Sequence, residues 1–188
     1  MRKQAMEQGE PVLRERSFEL LLSTIEQKKP TRILEIGVNL GLSGIAMLLT
    51  SPTSKLTGIE IDEEKIALAK QNYKTFGVED RAKIFKGDAG EIIPLLTGEY
   101  DFIFLDGPKG HYFEYLPHLL GVLNKGGILF ADNVLFRGYV NSKEKTPKRF
   151  NTTRYSMEKF LNAITNDKNL KSQVLDLEDG VSITEKLV

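Results

Sequence analysis

The 188-residue sequence contains no cysteine, and this absence removes several kinds of chemistry. Disulfide bonds, thiolate nucleophiles and cysteine-ligated zinc are all excluded. Basic and acidic residues both number 26, so no overall charge attracts nucleic acid or a membrane, and any such partner must bind a local patch. No apolar run approaches the ~20 residues that span a bilayer, and the first residues lack the apolar centre of a signal peptide. We therefore expect a cytoplasmic protein with no membrane partner.

The sequence does contain short apolar runs that alternate with amphipathic, helix-like patterns. The length suits one domain, and no repeat or linker divides residues 1–188. The runs predicted to be strands are 32–36, 55–59, 82–86, 100–105, 128–131, 172–176 and 181–185. Helical patterns fill the segments between them, beginning with an N-terminal helical segment over residues 1–30. This alternation predicts the α/β class, with a doubly wound, mostly parallel, Rossmann-like sheet of seven strands and an antiparallel strand near the C-terminus.

Acidic residues stand at the ends of five consecutive predicted strands. They are Glu35, Glu60, Asp88, Asp106 and Asp132. In a parallel α/β sheet the carboxyl ends of the strands meet at one edge, and ligands bind there. The sequence therefore predicts a ligand site at this edge of the sheet.

The turn after the first predicted strand favours one kind of ligand over another. It carries Gly37 and Gly41 in a G-x-x-x-G spacing, whereas a dinucleotide site prefers G-x-G-x-x-G with pyrophosphate at a helix N-terminus. Glu35 would repel pyrophosphate but suits a ligand that carries an amino group and a sulfonium. Glu60 can accept hydrogen bonds from both ribose hydroxyls, and Asp88 can flank an adenine. The alternative is that these acids are solvated strand ends and the glycines only shape turns.

Oxygen-bearing side chains also follow two of the later strands, at Asp106, Asp132 and Asn133. Oxygen ligands without His or Cys suit a hard cation such as Mg²⁺, which takes about six ligands. The three protein oxygens, two substrate oxygens and a water would complete that number. The alternative is that Asp132 and Asn133 form a turn that ends the strand.

Taken together, four sequence blocks resemble one enzyme family. The blocks are E-I-G-x-x-x-G-x-S, G-I-E-I-D, G-D-A-G-E-I-I-P and F-L-D-G-P-K-G-H-Y, in this order. They resemble the class I S-adenosylmethionine-dependent O-methyltransferases of the catechol and caffeoyl-CoA type. The resemblance implies that S-adenosylmethionine is the cofactor. The residues that would hold it are Glu35, Gly37, Val38, Ser43, Glu60, Ile61, Asp88, Ala89 and Asp106.

The same resemblance implies the chemistry of methyl transfer. It implies that Asp106, Asp132 and Asn133 bind Mg²⁺ or Mn²⁺, and that Lys109 is the catalytic base. A divalent cation lowers the pKa of a hydroxyl that it binds, and a lysine close to that cation can accept a proton near neutral pH. An ordinary solvated lysine is the alternative for Lys109. The resemblance also leads us to expect a homodimer.

The segment 137–154 is expected to form a basic active-site loop. It holds six basic side chains and one acidic side chain, and it follows the predicted metal residues. Such a patch could bind the phosphates of RNA or of coenzyme A, whereas the alternative is a solvated loop. The blocks D-N-V-L-F-R-G-Y-V and D-G-V-S-I-T are similar to a bacterial branch of the family that methylates 5-hydroxyuridine at the tRNA wobble position. The resemblance therefore implies a tRNA anticodon stem-loop as partner. The chemistry agrees, because the 5-hydroxyl and 4-carbonyl of this base are vicinal oxygens that can chelate one metal, as in a catechol.

Three other functions are compatible with parts of the sequence. A small catechol-like or CoA-linked phenolic substrate would use the same cofactor and metal residues. A nicotinamide-dependent dehydrogenase would prefer the G-x-G-x-x-G spacing and has no use for the predicted metal ligands. A catalytically silent RNA-binding module would keep the basic segment but has no reason to keep Lys109 beside those ligands.

Overall fold

The computed structural model describes residues 12–140 and 146–188. The strands are β1 (Arg32–Ile36), β2 (Lys55–Glu60), β3 (Ala82–Lys86), β4 (Tyr100–Leu105), β5 (Leu123–Asp132), β6 (Leu170–Leu175) and β7 (Val181–Lys186). The α-helices are α1 (Glu15–Lys28), α2 (Leu42–Thr50), α3 (Glu63–Thr75), α4 (Ala89–Ile92), α5 (Tyr112–Val122) and α6 (Asn151–Asn166). Short 3₁₀ helices occupy Glu79–Arg81, Ile93–Leu95, Lys109–His111 and Lys148–Phe150.

The seven strands form one sheet in the order β3-β2-β1-β4-β5-β7-β6. The pairs from β3 to β5 are parallel, and β7 runs antiparallel to both of its neighbours. The predicted fold class is therefore confirmed, including the antiparallel strand near the C-terminus. The strand order changes direction between β1 and β4, and such a switch point leaves a crevice at the carboxyl ends of the two strands.

Two apolar cores cover the two faces of this sheet. Successive residues of a strand point to opposite faces, so Ile33 of β1 packs in the core that contains α1, α2 and α3. Leu34, the next residue, packs in the core that contains α5 and α6. The central strands are buried on both sides, which explains why they read as continuous apolar runs in the sequence.

Some element boundaries differ from the sequence-based expectations. Strand β5 begins at Leu123 rather than at 128, because Gly126 and Gly127 interrupt the apolar run without ending the strand. Helix α6 begins at Asn151, inside the segment that was predicted to be a loop as far as 154. Phe150 packs against the rings of Phe136 and Tyr139, which orders the chain just before the helix.

At the N-terminus, the predicted helical segment 1–30 contains α1, and its residues 1–11 lie outside the described part of the chain. Residues 141–145 of the predicted basic loop also lie outside it. Within the described residues, no helix has both the length and the apolar composition that crossing a bilayer requires.

Candidate active site

The crevice at the switch point is built around Gly37, where β1 meets β4. The Gly37 N–H donates to the Ile59 carbonyl at 3.0 Å, and the Asp106 N–H donates to the Ile36 carbonyl at 3.0 Å. A Cβ on Gly37 would lie 2.6 Å from the Asp106 carbonyl oxygen, and the φ of Gly37 is +91°. Only glycine satisfies both conditions, because other residues carry a Cβ and rarely adopt this φ.

Two clefts meet at Gly37. We call them the Ser43 cleft and the Glu60 cleft. The Ser43 cleft is lined by Gly37, Val38, Asn39, Leu40, Leu42, Ser43 and Asp106, and by Val12, Leu13 and Phe18 from the N-terminal side. The Glu60 cleft is lined by Ile36, Gly37, Ile59, Glu60, Ile61, Gly87, Asp88, Ala89 and Pro108. Together the two clefts contain every predicted cofactor residue except Glu35.

Glu60 organises the end of β2. Its Oε2 accepts a hydrogen bond from the Asn39 N–H at 2.8 Å, and its Oε1 accepts from the N–H groups of Ile61 at 2.9 Å and Asp62 at 3.1 Å. A carboxylate offers about four acceptor sites, so Glu60 keeps capacity for a ribose hydroxyl. The neighbouring Ile61 is 62% exposed, and its apolar side chain could pack against the base of a bound nucleoside.

Asp88 caps the short helix α4. Its Oδ1 accepts from the Gly90 N–H at 2.7 Å. This contact gives Asp88 a structural role that needs no ligand. However, Asp88 and Ala89 both line the Glu60 cleft. The local role therefore leaves the second Asp88 oxygen available to a ligand.

Glu35 lies behind Ser43 rather than in a cleft. It is completely buried, and the Ser43 hydroxyl donates to its Oε1. Its Oε2 has no hydrogen-bond partner among residues 12–140 and 146–188. Burial raises the pKa of Glu35 to about 8, and the Asp106 and Glu60 charges act in the same direction, while the Ser43 hydroxyl opposes them. Ser43 thus stands between the Glu35 carboxyl and any ligand in the cleft.

The predicted metal residues lie at the ends of β4 and β5, which are adjacent in the sheet. Asp132 is buried, and burial together with the Asp106 charge raises its pKa to about 7. Asn133 adopts a φ of +57°, a conformation that asparagine tolerates better than most residues. The Lys109 ammonium donates to Asp106 Oδ1 at 2.7 Å.

This donor set fits a hard divalent cation. Two neighbouring carboxylates with an amide oxygen beside them are ligands that Mg²⁺ or Mn²⁺ prefers, and the Asp106 charge helps to raise the pKa of the buried Asp132. The described residues contain no group of three or more His, Cys, Asp or Glu side chains that could hold a metal. The candidate site therefore depends on Asn133 as its third ligand.

Tyr112 was not singled out in the sequence, although it connects the two strands that carry the metal residues. Its buried hydroxyl lies 3.0 Å from the Leu105 carbonyl and 3.3 Å from the Asp132 carbonyl. Burial raises the Tyr112 pKa well above its usual value, so the hydroxyl stays protonated and can donate. Its neighbour His111 is exposed and bonds Glu114 at 2.7 Å, away from the metal residues.

An aromatic and basic cluster follows the predicted metal residues. Its centre is Phe150, whose ring lies 5.6 Å from Phe136 and 5.7 Å from Tyr139. The guanidinium of Arg149 lies 4.6 Å above the Phe150 ring, and that of Arg137 lies 5.3 Å from it. We call these five residues the Phe150 cluster. Both arginines are exposed, so their charges remain available to a partner.

Other residues of the site had weaker signals in the sequence. Leu13 and Phe18 belong to the N-terminal segment, and nothing in their spacing indicates that they reach the Ser43 cleft. Asn39 adopts a φ of +47° in the glycine turn, which an asparagine in such a turn could have indicated. Arg154 was grouped with the basic loop, but it pairs with Glu158 at 3.6 Å on α6.

Known proteins are similar to this chain in both sequence and fold. Residues 3–187 match the O-methyltransferase family. The chain is 29% identical over 177 residues to a caffeoyl-CoA O-methyltransferase of Stellaria longipes, covering 90% of this chain and 73% of that protein. It is 34% identical over 127 residues to a catechol O-methyltransferase of Sus scrofa, covering 62% and 67%.

A solved structure supports the same relationship. The SAH-bound methyltransferase of Podospora anserina superposes with a TM-score of 0.82 and 28% identity, covering 94% of this chain and 80% of that one. With the crevice at the switch point and the two clefts that meet at Gly37, these matches show that the chain belongs to the O-methyltransferase family and is an S-adenosylmethionine-dependent enzyme of the caffeoyl-CoA and catechol type.

Proposed function

We propose that the enzyme methylates one of two vicinal oxygens on a ring, with the help of a divalent cation held by Asp106, Asp132 and Asn133. The observation that carries this proposal is that Asp106 belongs to two groups of residues at once. It lines the Ser43 cleft and also interacts with the buried Asp132 and with Lys109. A methyl donor in the cleft would therefore lie beside the residues that prepare the acceptor.

The two clefts suggest an orientation for S-adenosylmethionine. The amino-acid part would lie in the Ser43 cleft, where the Ser43 hydroxyl, backed by the buried Glu35 carboxyl, can meet its ammonium group. The adenosine part would lie in the Glu60 cleft, with the ribose at Glu60 and the adenine between Ile61 and Asp88. Gly37 lines both clefts and has no side chain, so the sulfonium can lie against its backbone.

Lys109 and the metal residues would prepare the acceptor. When bound, a divalent cation would lower the pKa of the acceptor hydroxyl and fix its direction. In its neutral form, which a nearby cation would favour, Lys109 would accept the hydroxyl proton at Nζ. Its 2.7 Å contact with Asp106 Oδ1 places that atom beside the proposed metal residues. Because methyl transfer from a sulfonium cancels charge, most of the acceleration would come from positioning of the two reactants.

For the acceptor, we propose the wobble 5-hydroxyuridine of a tRNA anticodon stem-loop. The Phe150 cluster supports this choice, because exposed arginines beside aromatic rings suit phosphates next to unstacked bases. The alternative is a small catechol-like or CoA-linked phenol, which the names of the relatives favour. The resemblance to the family also leads us to expect a homodimer, which light scattering of the purified enzyme would test.

One experiment separates these acceptors. Purified enzyme is given labelled S-adenosylmethionine with Mg²⁺ and, in parallel reactions, hydroxyuridine-containing tRNA, a catechol or caffeoyl-CoA. Methyl incorporation into the tRNA is the expected result. Transfer to a phenol with none to tRNA would replace the tRNA acceptor with a small molecule, and transfer that persists at full rate in a chelator would remove the metal from the mechanism.

A further inference from the structure

A buried polar pair lies beneath the start of α2. Tyr73 projects from α3 and is 2% exposed, and its hydroxyl has no hydrogen-bond partner in the described part of the chain. Glu35 Oε2 is likewise buried and unpaired. Both oxygens lie 2.8 Å from the position that a Cβ on Gly44 would occupy. The missing side chain of Gly44 thus leaves one small space that these two groups share.

Two such groups in one space are expected to satisfy each other. Buried polar atoms in folded proteins nearly always have a partner, either directly or through an ordered water. Burial raises the pKa of Tyr73 well above its ordinary value, and the Glu35 charge raises it further, so the hydroxyl keeps its proton. An ionised Glu35 carboxylate can only accept a hydrogen bond. When Glu35 is ionised, as a bound ammonium group would favour, the Tyr73 hydroxyl therefore donates to Glu35 Oε2.

The Tyr73 ring also supports the turn that forms the Ser43 cleft. A Cβ on Gly41 would lie 2.7 Å from Tyr73 Cε1, so the ring fills the space beneath Gly41 as well as beneath Gly44. The adjacent Asn72 donates from Nδ2 to the Leu40 carbonyl at 2.9 Å. Helix α3 thus touches the cofactor turn at two consecutive residues.

We propose that Tyr73 is a positioning residue for the cofactor, whose hydroxyl holds the Glu35 carboxylate so that Ser43 presents its oxygen to the ammonium group of S-adenosylmethionine. The Ser43 hydroxyl donates its hydrogen bond to Glu35 Oε1, which leaves the oxygen lone pairs of Ser43 to accept from the ligand. This inference rests on the proposed placement of the amino-acid part in the Ser43 cleft. It adds a residue on α3, outside both clefts, that acts through Glu35.

The pH dependence of binding follows from the groups that face Glu35. Burial raises the Glu35 pKa, and the nearby Asp106 and Glu60 charges add to this rise, whereas the Ser43 hydroxyl and the Gly44 N–H lower the pKa. The Tyr73 hydroxyl is a further donor that stabilises the ionised form. A cationic ammonium group binds better to ionised Glu35, so cofactor affinity rises with pH through the Glu35 pKa. Without the Tyr73 hydroxyl, this rise moves to higher pH.

The test compares two ligands and three proteins by titration calorimetry. S-adenosylhomocysteine carries the ammonium group, and 5′-methylthioadenosine lacks the whole amino-acid part. Tyr73→Phe should weaken S-adenosylhomocysteine about tenfold, as expected for the loss of one hydrogen bond to a charged group. It should leave methylthioadenosine within about twofold of the wild type. Tyr100→Phe, which removes a tyrosine hydroxyl at the opposite end of the sheet, is the matched control and should change neither affinity.

A second variant carries the test if Tyr73→Phe does not fold. Gly44→Ala places a Cβ between the two oxygens, whose side chains can shift, and it should cause the same selective loss. Equal weakening of both ligands, or an unchanged pH profile in either variant, would overturn the role of Tyr73. The assay contains neither acceptor nor metal, so failure of methyl transfer does not affect it. A wild-type protein that fails to bind S-adenosylhomocysteine would instead refute the cofactor placement itself.

Discussion

At Gly37 the backbones of β1 and β4 approach so closely that a side chain has no room, and this closeness creates the point where the two clefts meet. Gly41 and Gly44 have a similar role one turn later, where the Tyr73 ring occupies the space that their side chains would need. The sequence indicated glycine as a turn former, but it could not indicate which ring lay behind the turn.

Substitution of Gly37 should damage both stability and binding. Gly37→Ala introduces a contact of 2.6 Å with a backbone oxygen at a φ of +91°, and we expect a loss of about 1–3 kcal/mol in the free energy of unfolding. Gly121→Ala is the control, because nothing lies within 4 Å of its Cβ position and it sits in α5. That change should be neutral or stabilise by roughly 0.5–1 kcal/mol. Urea denaturation measures both, and equal stabilities would contradict the steric argument.

The buried Glu35 gives stability an unusual pH dependence. Its folded pKa of about 8 lies above the model-peptide value of 4.5, so between these values the folded protein binds more protons than the unfolded chain. The contribution of Glu35 to the free energy of unfolding is therefore present below about pH 4.5 and is lost as the pH rises towards about 8. Glu35→Gln cannot titrate and should remove this component in the cofactor-free enzyme.

The measurement is urea denaturation of wild type and Glu35→Gln across that pH window. Other groups such as Asp132 also titrate there, so the difference between the two proteins isolates Glu35. Two curves that run parallel over the whole window would mean that Glu35 is ionised, and hence satisfied, in the cofactor-free fold.

At the scale of elements, the local patterns predicted the strands well because the central strands are buried on both faces. Asp62 caps α3, since its side chain accepts from the N–H groups of Glu64 and Lys65, as aspartate often does before a helix. The early start of β5 was missed because Gly126 and Gly127 carry no strand signal. Phe150, just before α6, packs against Phe136 and Tyr139, and the helical pattern of α6 does not include these residues.

The adjacent ends of β4 and β5 should bind one divalent cation that turnover requires. EDTA is expected to abolish methyl transfer, and Mg²⁺ or Mn²⁺ to restore it. Asp132→Ala should lower metal-dependent activity by more than about 100-fold, because it removes a buried carboxylate that we propose as a metal ligand. Asp132 does not line the Ser43 cleft, so the substitution leaves that cleft intact. Binding of S-adenosylhomocysteine should stay close to wild type. As a control, Asp176→Ala removes an acid beyond the end of β6 and should retain activity.

At the scale of the whole molecule, balanced charge means that affinity for phosphates must come from one region. The family could be predicted because its motifs fall at the strand ends that the fold brings together. The position of Glu35 behind Ser43 could not be predicted from the sequence. The alternation of residues along a strand indicates which face of the sheet a side chain points to, but it does not indicate which side chain packs over it. The acceptor was the least predictable part, since the proposed docking surface, the Phe150 cluster, lies outside the four family motifs.

The basic region offers a direct test of the tRNA proposal. The double variant Lys148→Ala/Arg149→Ala removes two exposed charges, one within the Phe150 cluster (Arg149) and one beside it (Lys148). It should weaken tRNA binding and reduce the slope of log affinity against log salt by about 2. Methylation of a small catechol should be unchanged. Lys168→Ala/Lys171→Ala removes two exposed charges at β6 and serves as the control. If both double variants bind tRNA with the same salt dependence, the Phe150 cluster is not its docking surface.

Asp106 lines the Ser43 cleft, where we propose that the cofactor binds, and it also belongs to the proposed metal set. One carboxylate that serves two ligands makes their binding equilibria dependent on each other. If the bound cation changes the affinity for the cofactor by some factor, the bound cofactor changes the affinity for the cation by the same factor. This follows because both orders of binding lead to the same doubly bound enzyme and therefore to the same total free energy. Under the proposed function, the supply of either ligand in the cell therefore sets how firmly the enzyme holds the other.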